Sequence, residues 1–473
     1  MFIKENFKKI YLFLSTSIFL SVIYISMQFN INCMGGFQLI YEFYILDNCI
    51  LLGLDSISLI LIFLTTMVIP LCILFNWFTF KSNKENFFFF SILILIELLL
   101  ILVFLVLELV FFHIVFEFLL IPFYSIIALT NGKQYSRNIN SVNKKINAFF
   151  LLFFHTIIGS LLMLFGILLI YTNFSSTLIP LLWYSKIDSF TEHFLWFLFF
   201  ISFSVKIPIV PLHLWLPEAH VESPTEGSVI LAAVLLKIGL YGVIRILLPC
   251  FSEACITYCV WVWLLGIISV IYTSMSACVQ VDIKRIIAYA SIGHMNICVL
   301  GIFSLDVTSI FGSIILMFAH GLASAGLFFV IGILYNRFHT KNIKYYNGII
   351  FNMPVLSICF FLLSVSNFGM PGTLNFIGEF YIFSSFSNSD IFYIYIGVFL
   401  SILLSSFYTI YLYNHIIFGN SNRFFYYNTL DISILEFFVL SVLIIFIFTL
   451  GINPLAIADI LKSDLNYYFY YYN

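Results

Sequence analysis

Charge is scarce in this sequence. Asp, Glu, Lys and Arg make up 9% of its 473 residues, against about a quarter in an ordinary soluble domain. That scarcity excludes a typical water-soluble enzyme, and with no basic patch interleaved with aromatics, no nucleic-acid partner is expected. Nucleotide signatures are missing too: there is no G-x-G-x-x-G and no P-loop. Nine cysteines occur, none in a C-x-x-C pair. Cys250, Cys255 and Cys259 cluster with gaps of four and three residues but lack a fourth ligand, so they read as small apolar filler and not as a zinc or iron–sulfur site. With no haem-ligand pattern and no nucleophile–base arrangement, neither a cofactor nor a metal is expected in this chain.

What the sequence has in quantity is apolar length. It is 62% hydrophobic, with 59 Phe and 28 Tyr. The apolar residues fall in runs of about 20, the length that crosses a bilayer. Thirteen such runs are expected to form helices, at about 7–29, 53–77, 86–106, 108–130, 147–173, 192–211, 225–249, 255–279, 286–304, 308–336, 353–386, 390–418 and 433–456. The fold class is therefore all-α, a polytopic protein embedded in the lipid bilayer. The first run follows lysines as a secretory signal would, yet no small-residue cleavage site follows and the run is long enough to span; it is expected to be the first helix. The heavy use of Phe, Tyr, Ile and Asn suits an AT-rich coding sequence and hints at an organellar genome.

Basic residues orient the chain. With the N-terminus on the inner side, alternate loops place fifteen on that side (Lys4, Lys8, Lys9, Lys81, Lys84, Lys133, Arg137, Lys144, Lys145, Lys284, Arg285, Arg337, Lys341, Lys344 and Arg423). The other side receives Lys186 and Lys462, with Arg245 near a helix end. This is the positive-inside asymmetry. Lys206 and Lys237 have no loop to occupy and lie within spans. Among the acids, Glu97, Glu117 and Glu379 lie within spans and Glu108 at the junction of two. Asp55, Glu192, Glu226, Asp390 and Glu436 fall in first turns, where water is near.

Two blocks of five helices, 86–249 and 255–418, are expected to be repeats. In each the fourth helix is interrupted near a charge, by "VKIPIVP" in the first and "GMPGTLNFIGE" in the second. An odd number of helices inverts the second block relative to the first. Paired broken helices in inverted repeats point to an ion path.

Ionisable groups inside hydrocarbon cost at least ~2.5–3.5 kcal/mol on insertion scales, so they face partners or wet cavities. Glu117 and Lys206, of opposite sign on different helices of one block, are expected to form an ion pair. A change in their separation would turn the pair into a coupled proton-affinity switch; a static structural pair is the other reading. Lys237 follows one helix on, with a stem long enough to snorkel. His294 and His320 lie on successive helices between Lys237 and Glu379. An imidazole takes a proton at one nitrogen and gives one from the other, which suits a relay. His113, four residues before Glu117 on the same face, is placed to modulate it. His213 and His220 flank the first interruption, where loop and path positions look alike. Glu97 has no evident partner.

"SFSVKIPIVPLHLWLPEAHVESPTEGSVILAAVLLKIGLYGVIR", "DIKRIIAYASIGHMNICVLGIF" and "MPGTLNFIGEF" resemble the antiporter-like membrane subunits of respiratory complex I. The resemblance runs from about Gly53 to the C-terminus. Mrp-type sodium/proton antiporters share it around Lys206, Lys237 and His294. At the second broken helix most of these relatives carry lysine, and Glu379 places this chain in the branch that carries glutamate. The resemblance implies a proton-translocating subunit of NADH:ubiquinone oxidoreductase, driven by redox chemistry elsewhere in the complex. Its paired charges fall on Glu117 and Lys206, its central relay on Lys237, His294 and His320, and its exit carboxylate on Glu379. It implies neighbouring antiporter-like subunits as partners and a mitochondrial inner membrane, with the gene in the mitochondrial genome. The family pattern has one helix more than counted here, the first one, which lies outside both repeats. A stand-alone Mrp-type antiporter subunit is the alternative, and a scaffold with vestigial charges a third.

Overall fold

The computed structural model describes residues 2–30, 36–45, 48–77, 83–129, 139–387, 392–420 and 430–461. The cations Lys81, Lys133, Arg137, Arg423 and Lys462, and Asp390, lie outside the described residues. The helices are α1 (Phe2–Gln28), α2 (Ser56–Phe75), α3 (Asn83–Leu105), α4 (Leu109–Phe118), α5 (Leu120–Leu129), α6 (Ile139–Phe174), α7 (Ser189–Lys206) and α8 (Trp215–Glu222). They continue as α9 (Thr225–Cys250), α10 (Ser252–Val279), α11 (Ile283–Phe303), α12 (Val307–Phe338), α13 (Pro354–Asn367), α14 (Leu374–Ser387), α15 (Phe392–Ile417) and α16 (Ile434–Ile452).

Among the described residues eleven helical segments are long and apolar enough to cross a membrane. They coincide with eleven of the thirteen expected spans. The other two expected spans, 192–211 and 353–386, are not continuous helices. The first is α7 followed by turns and α8; the second divides into α13 and α14. Outward faces carry apolar stripes at helical spacing, such as Ile256, Val260, Leu264 and Ile268 on α10, as a lipid-facing or subunit-facing surface requires.

Proline explains two interruptions and glycine a third. Pro122 has no N–H to offer the Phe118 carbonyl, and the expected single span 108–130 steps there from α4 to α5. Pro208 likewise leaves the Ser204 carbonyl, which accepts from the Ile209 N–H at 3.1 Å instead. The next carbonyl, of Val205, accepts from the Trp215 indole N–H at 2.9 Å, so α8 folds back to satisfy the end of α7. The second break turns through Gly369 (φ +70°) and Gly372 (φ +95°) on either side of Met370-Pro371. A side chain at 369 would collide with the Glu379 carboxylate, so this glycine is required on two counts.

One element was not expected. Strands β1 (Gln38–Ile45) and β2 (Asn48–Leu54) pair antiparallel as a hairpin, with Tyr41 opposite Leu52 and Phe43 opposite Ile50. Its aromatic and branched residues suit a strand, but at eight and seven residues the strands are too short to register as membrane runs. The hairpin leads straight into α2, whose N-cap is Asp55. The Ser58 N–H donates to Asp55 Oδ1 at 3.0 Å and the Asp55 N–H to Ser58 Oγ at 2.9 Å, a reciprocal capping box.

Two helices sit at the centre. The apolar windows of α9 and α12 are entirely enclosed by other helices. α9 is not regular: π-helical turns at Leu231–Leu235 and Val243–Leu247 bracket a short α segment, Leu236–Gly242, that carries Lys237. Such π turns appear frequently at functional sites.

Candidate functional site

The two central helices carry the ionisable core. Lys237 lies on α9 and is fully buried. Its ammonium donates to the Ala232 carbonyl, in the preceding π turn, at 2.6 Å. It also lies 3.0 Å from His320 Nδ1 on α12. An ammonium has no lone pair, so when Lys237 is charged, Nδ1 accepts and the His320 proton sits on Nε2. The His320 ring is 5.3 Å, centroid to centroid, from that of His294 on α11. His294 Nδ1 is 3.2 Å from Glu379 Oε1 on α14. Lys237, His320, His294 and Glu379, expected to form a relay, thus lie side by side in one buried row across four helices, in which Lys237–His320 is the hydrogen-bonded step; His320 Nε2, both His294 nitrogens and Glu379 Oε1 have no hydrogen-bond partner among the described residues.

Close packing assembles this line. Gly312 of α12 has no side chain where Tyr381 and the Gly378 carbonyl of α14 approach, and Gly378 in turn admits Leu316 of α12. These two glycines bring the His320 helix against the Glu379 helix. A Cβ at Gly301 would meet Ser313 and Ile382, so α11 nests between α12 and α14 by the same means.

Glu117 and Lys206 are placed differently from expectation. Lys206 ends α7, and Glu117 stands one residue before the end of α4. The two are not within ion-pair distance, although each lies within electrostatic reach of the other. The Lys206 ammonium instead sits over the Phe116 ring, 4.1 Å from its centroid, a cation–π contact. Glu117 Oε1 is buried without a hydrogen-bond partner among the described residues. Opposite signs on adjacent helices set an attraction but not a distance. Here Phe116, the neighbour of Glu117 in sequence, occupies the contact. His113 lies on the same stretch of α4, within electrostatic reach of both charges.

Lys206 is nonetheless joined to the Lys237 helix. A Cβ at Gly239 would stand 2.7 Å from an Ile207 side-chain carbon and 3.2 Å from Lys206 Cβ, and one at Gly242 would strike Phe203. The sequence "LKIGLYG" therefore presents a smooth face on which the end of α7 rests, two residues beyond Lys237.

Five groups counted as wet are buried; one of them, Glu192 in the first turn of α7, accepts from the Ala254 N–H at 3.0 Å. Asp55 and Arg245 form an ion pair of 2.5 Å, each 2% exposed. The Phe37 ring covers the guanidinium at 4.3 Å, and the Trp183 indole donates to the Arg245 carbonyl. Lys284, counted as a loop cation, is buried and donates to the Ser223 carbonyl at 2.9 Å just past α8. Glu226, in the first turn of α9, is buried and accepts from the Thr225 hydroxyl at 2.7 Å. Arg245 and Lys284 are met by residues between helices, Phe37 and Ser223, which counting along the chain does not reveal.

The remaining candidates stand apart from the line. His220 on α8 stacks on Phe328 with rings 4.7 Å apart and 2° from parallel. His213 meets Tyr272 edge-on. Neither imidazole has a hydrogen-bond partner among the described residues. Glu108 is the N-cap residue of α4 and accepts from Thr177 at 3.2 Å. Glu97 is fully buried, with neither carboxylate oxygen hydrogen-bonded among the described residues. No group of three or more His, Cys, Asp or Glu suited to a metal ion occurs among the described residues.

A family model described as NADH:quinone oxidoreductase/Mrp antiporter, transmembrane, matches residues 106–404. NADH-ubiquinone oxidoreductase chain 4 of Acanthamoeba castellanii is 39% identical over 469 residues, covering 98% of this chain and 92% of the relative. In the respiratory complex I of Thermus thermophilus with bound NADH, one chain superposes with a TM-score of 0.87 at 23% identity, over 98% of this chain and 95% of that one. A chain of the Mrp complex of Dietzia sp. DQ12-45-1b superposes with a TM-score of 0.86 at 14% identity, over 99% and 95%. The two superpositions establish a shared fold.

Proposed function

Because this chain belongs to the NADH:quinone oxidoreductase/Mrp antiporter membrane family, and within it to the NADH-ubiquinone oxidoreductase chain 4 proteins, we propose that it translocates protons as an antiporter-like membrane subunit of an NADH:ubiquinone oxidoreductase. The redox chemistry lies in other subunits; this chain supplies the proton path and no redox centre of its own. Its partners are the neighbouring membrane subunits of that complex, and its location is the mitochondrial inner membrane. Residues 86–249 and 255–418 act as two inverted halves, each broken beside its working charge.

The observation that carries this reading is the buried row Lys237–His320–His294–Glu379, each member beside the next. Lys237 gives its proton to His320 Nδ1, and His320 then releases the proton it held on Nε2. His294 takes up a proton at one nitrogen and gives one from the other to Glu379. Glu379 delivers it to the outer side. Glu117 and Lys206 form the loading end: a change in their separation alters the proton affinity of Lys206, which releases its proton towards Lys237 on the helix that the end of α7 packs against.

Lys237→Ala in the assembled complex tests the reading. NADH-driven proton translocation per assembled complex is expected to collapse, and undiminished translocation rejects it. The shared fold with the Mrp complex keeps a stand-alone antiporter as the second reading. Native-gel migration separates the two, since the subunit co-migrates with NADH dehydrogenase activity and a stand-alone antiporter runs as a small independent particle.

A further inference from the structure

A small cavity lies between α11, α12, α13 and α15, lined by Ile286, Ala290, Leu327, Asn367, Tyr408 and Thr409 among others. It has room for about one water molecule. Its position is defined by helix register. Ala290 is one turn from His294 on α11, and Leu327 is two turns from His320 on α12, each on the same face as its histidine. Ile286 belongs to the first turn of α11, and Leu412, also on the wall, to the last turns of α15. Both ends lie on the side to which the positive-inside asymmetry assigns the N-terminus. The cavity therefore sits beneath the histidines, on their inner side.

Its wall is mostly apolar, but Ser364, Asn367, Tyr408 and Thr409 bring polar side chains to it. Asn367 and Tyr408 are 2% and 3% exposed, and neither side chain has a hydrogen bond among the described residues. A buried amide and phenol left unpaired cost free energy, and a water between them removes that cost. The Thr409 hydroxyl, and that of Ser364, also on the wall, donate to carbonyls of their own helices, which leaves their lone pairs free to accept. Asn367, Tyr408, Thr409 and Ser364 are thus the partners that the lining offers to a water. Asn367 is the last residue of α13, and the Glu379 carboxylate rests against Gly369, two residues on.

We propose that this cavity is a water site forming a second inner-side inlet, through which His294 and Glu379 are reprotonated independently of Glu117 and Lys206, with Asn367 and Tyr408 positioning the water. The proposal rests on the proton-path reading above and adds a supply to its far end. No covalent step is involved; a proton moves from inner-side water along the bridging water to the imidazole or carboxylate.

The test uses the intact complex containing the full chain. At a resolution that shows ordered water, density is expected within hydrogen-bonding distance of both the Asn367 side chain and the Tyr408 hydroxyl, and a dry cavity overturns the proposal. Thr409→Cys is expected to make NADH oxidation several-fold slower when silver ions are added on the inner side, relative to the same variant without silver and to the unsubstituted chain with it. Silver added only on the outer side is expected to have no such effect. Insensitivity from the inner side overturns the inlet. Lys237→Ala separates the two readings. Lost translocation together with a silver-insensitive Thr409→Cys removes the inlet and leaves the proton path. Retained translocation together with a silver-sensitive Thr409→Cys removes the path through Lys237 and leaves the inlet.

Discussion

His294 on α11 and Glu379 on α14 face one another with Nδ1 3.2 Å from Oε1, both side chains buried. No other carboxylate among the described residues lies within 4.0 Å of a buried histidine. The contact joins the middle of one helix to a segment just past a helix break, so its length depends on how the break is held.

Glu379→Gln tests the contact as a proton-transfer step. The amide keeps the shape and one hydrogen-bonding oxygen but has no proton to exchange. NADH-driven proton translocation per assembled complex is expected to fall on the order of tenfold or more, within the range of lost acid–base groups. Assembly is checked on native gels. A variant that translocates normally removes Glu379 from the path.

Gly369→Ala addresses the break itself. The residue adopts φ +70° and its missing Cβ leaves room for the Glu379 carboxylate. Alanine adds a left-handed backbone penalty of about 1–2 kcal/mol and pushes the carboxylate away from its present seat. The expected result is a complex that assembles in reduced amount and translocates several-fold fewer protons per NADH oxidised. The measurement is proton uptake normalised to assembled complex.

Lys206→Arg distinguishes a moving proton from a fixed charge. Arginine retains the positive charge and the ring contact with Phe116 but does not release its proton. If Lys206 serves only as a static counter-charge to Glu117, arginine preserves most of the activity and Lys206→Ala does not. The expected outcome is that both variants lose translocation to a similar extent.

Much of the line was legible by subtraction. Lys206, Lys237, Glu117 and Glu379 stood out because no loop could hold them, and the residues between helices were polar enough to delimit the spans. The same subtraction failed at helix ends. Asp55, Arg245, Lys284 and Glu226 occur where a chain normally meets water, yet all are buried: Asp55 and Arg245 pair beneath the Phe37 ring, and Lys284 reaches the Ser223 carbonyl just past α8. Sign and sequence position also misjudged the Glu117–Lys206 pair, because the distance is set by the Phe116 ring. The π turns around Lys237 had no sequence signal: "LAAVLLKIGLYG" reads as an ordinary apolar helix.

The Arg245–Asp55 pair predicts a structural and not a catalytic phenotype. Removing one partner strands a buried charge, which costs about 3–5 kcal/mol. Asp55→Ala also removes the cap of α2, about 1 kcal/mol more. Arg245→Leu or Asp55→Ala alone is therefore expected to lower the amount of assembled complex sharply, with normal turnover in what remains. The double variant Asp55→Ser with Arg245→Leu keeps a capping hydroxyl and strands no charge, and is expected to recover most of the lost assembly. Native-gel quantification alongside NADH oxidation per complex reads both parts.

Glu97 supplies the opposite case, a buried acid that nothing supports. It is fully enclosed on α3, and neither oxygen has a hydrogen-bond partner among the described residues. An unpaired buried polar group costs about 1–3 kcal/mol, and a leucine of similar size would fill the same space without that cost. Glu97→Leu is expected to raise the temperature at which the complex loses activity while leaving proton translocation per NADH unchanged. The Lys237–His320–His294–Glu379 line does not pass through α3, so no transfer step is expected to depend on this carboxyl. A fall in translocation at normal assembly would instead make Glu97 a station on a branch through α3, and thermal inactivation measured beside proton uptake decides between the two.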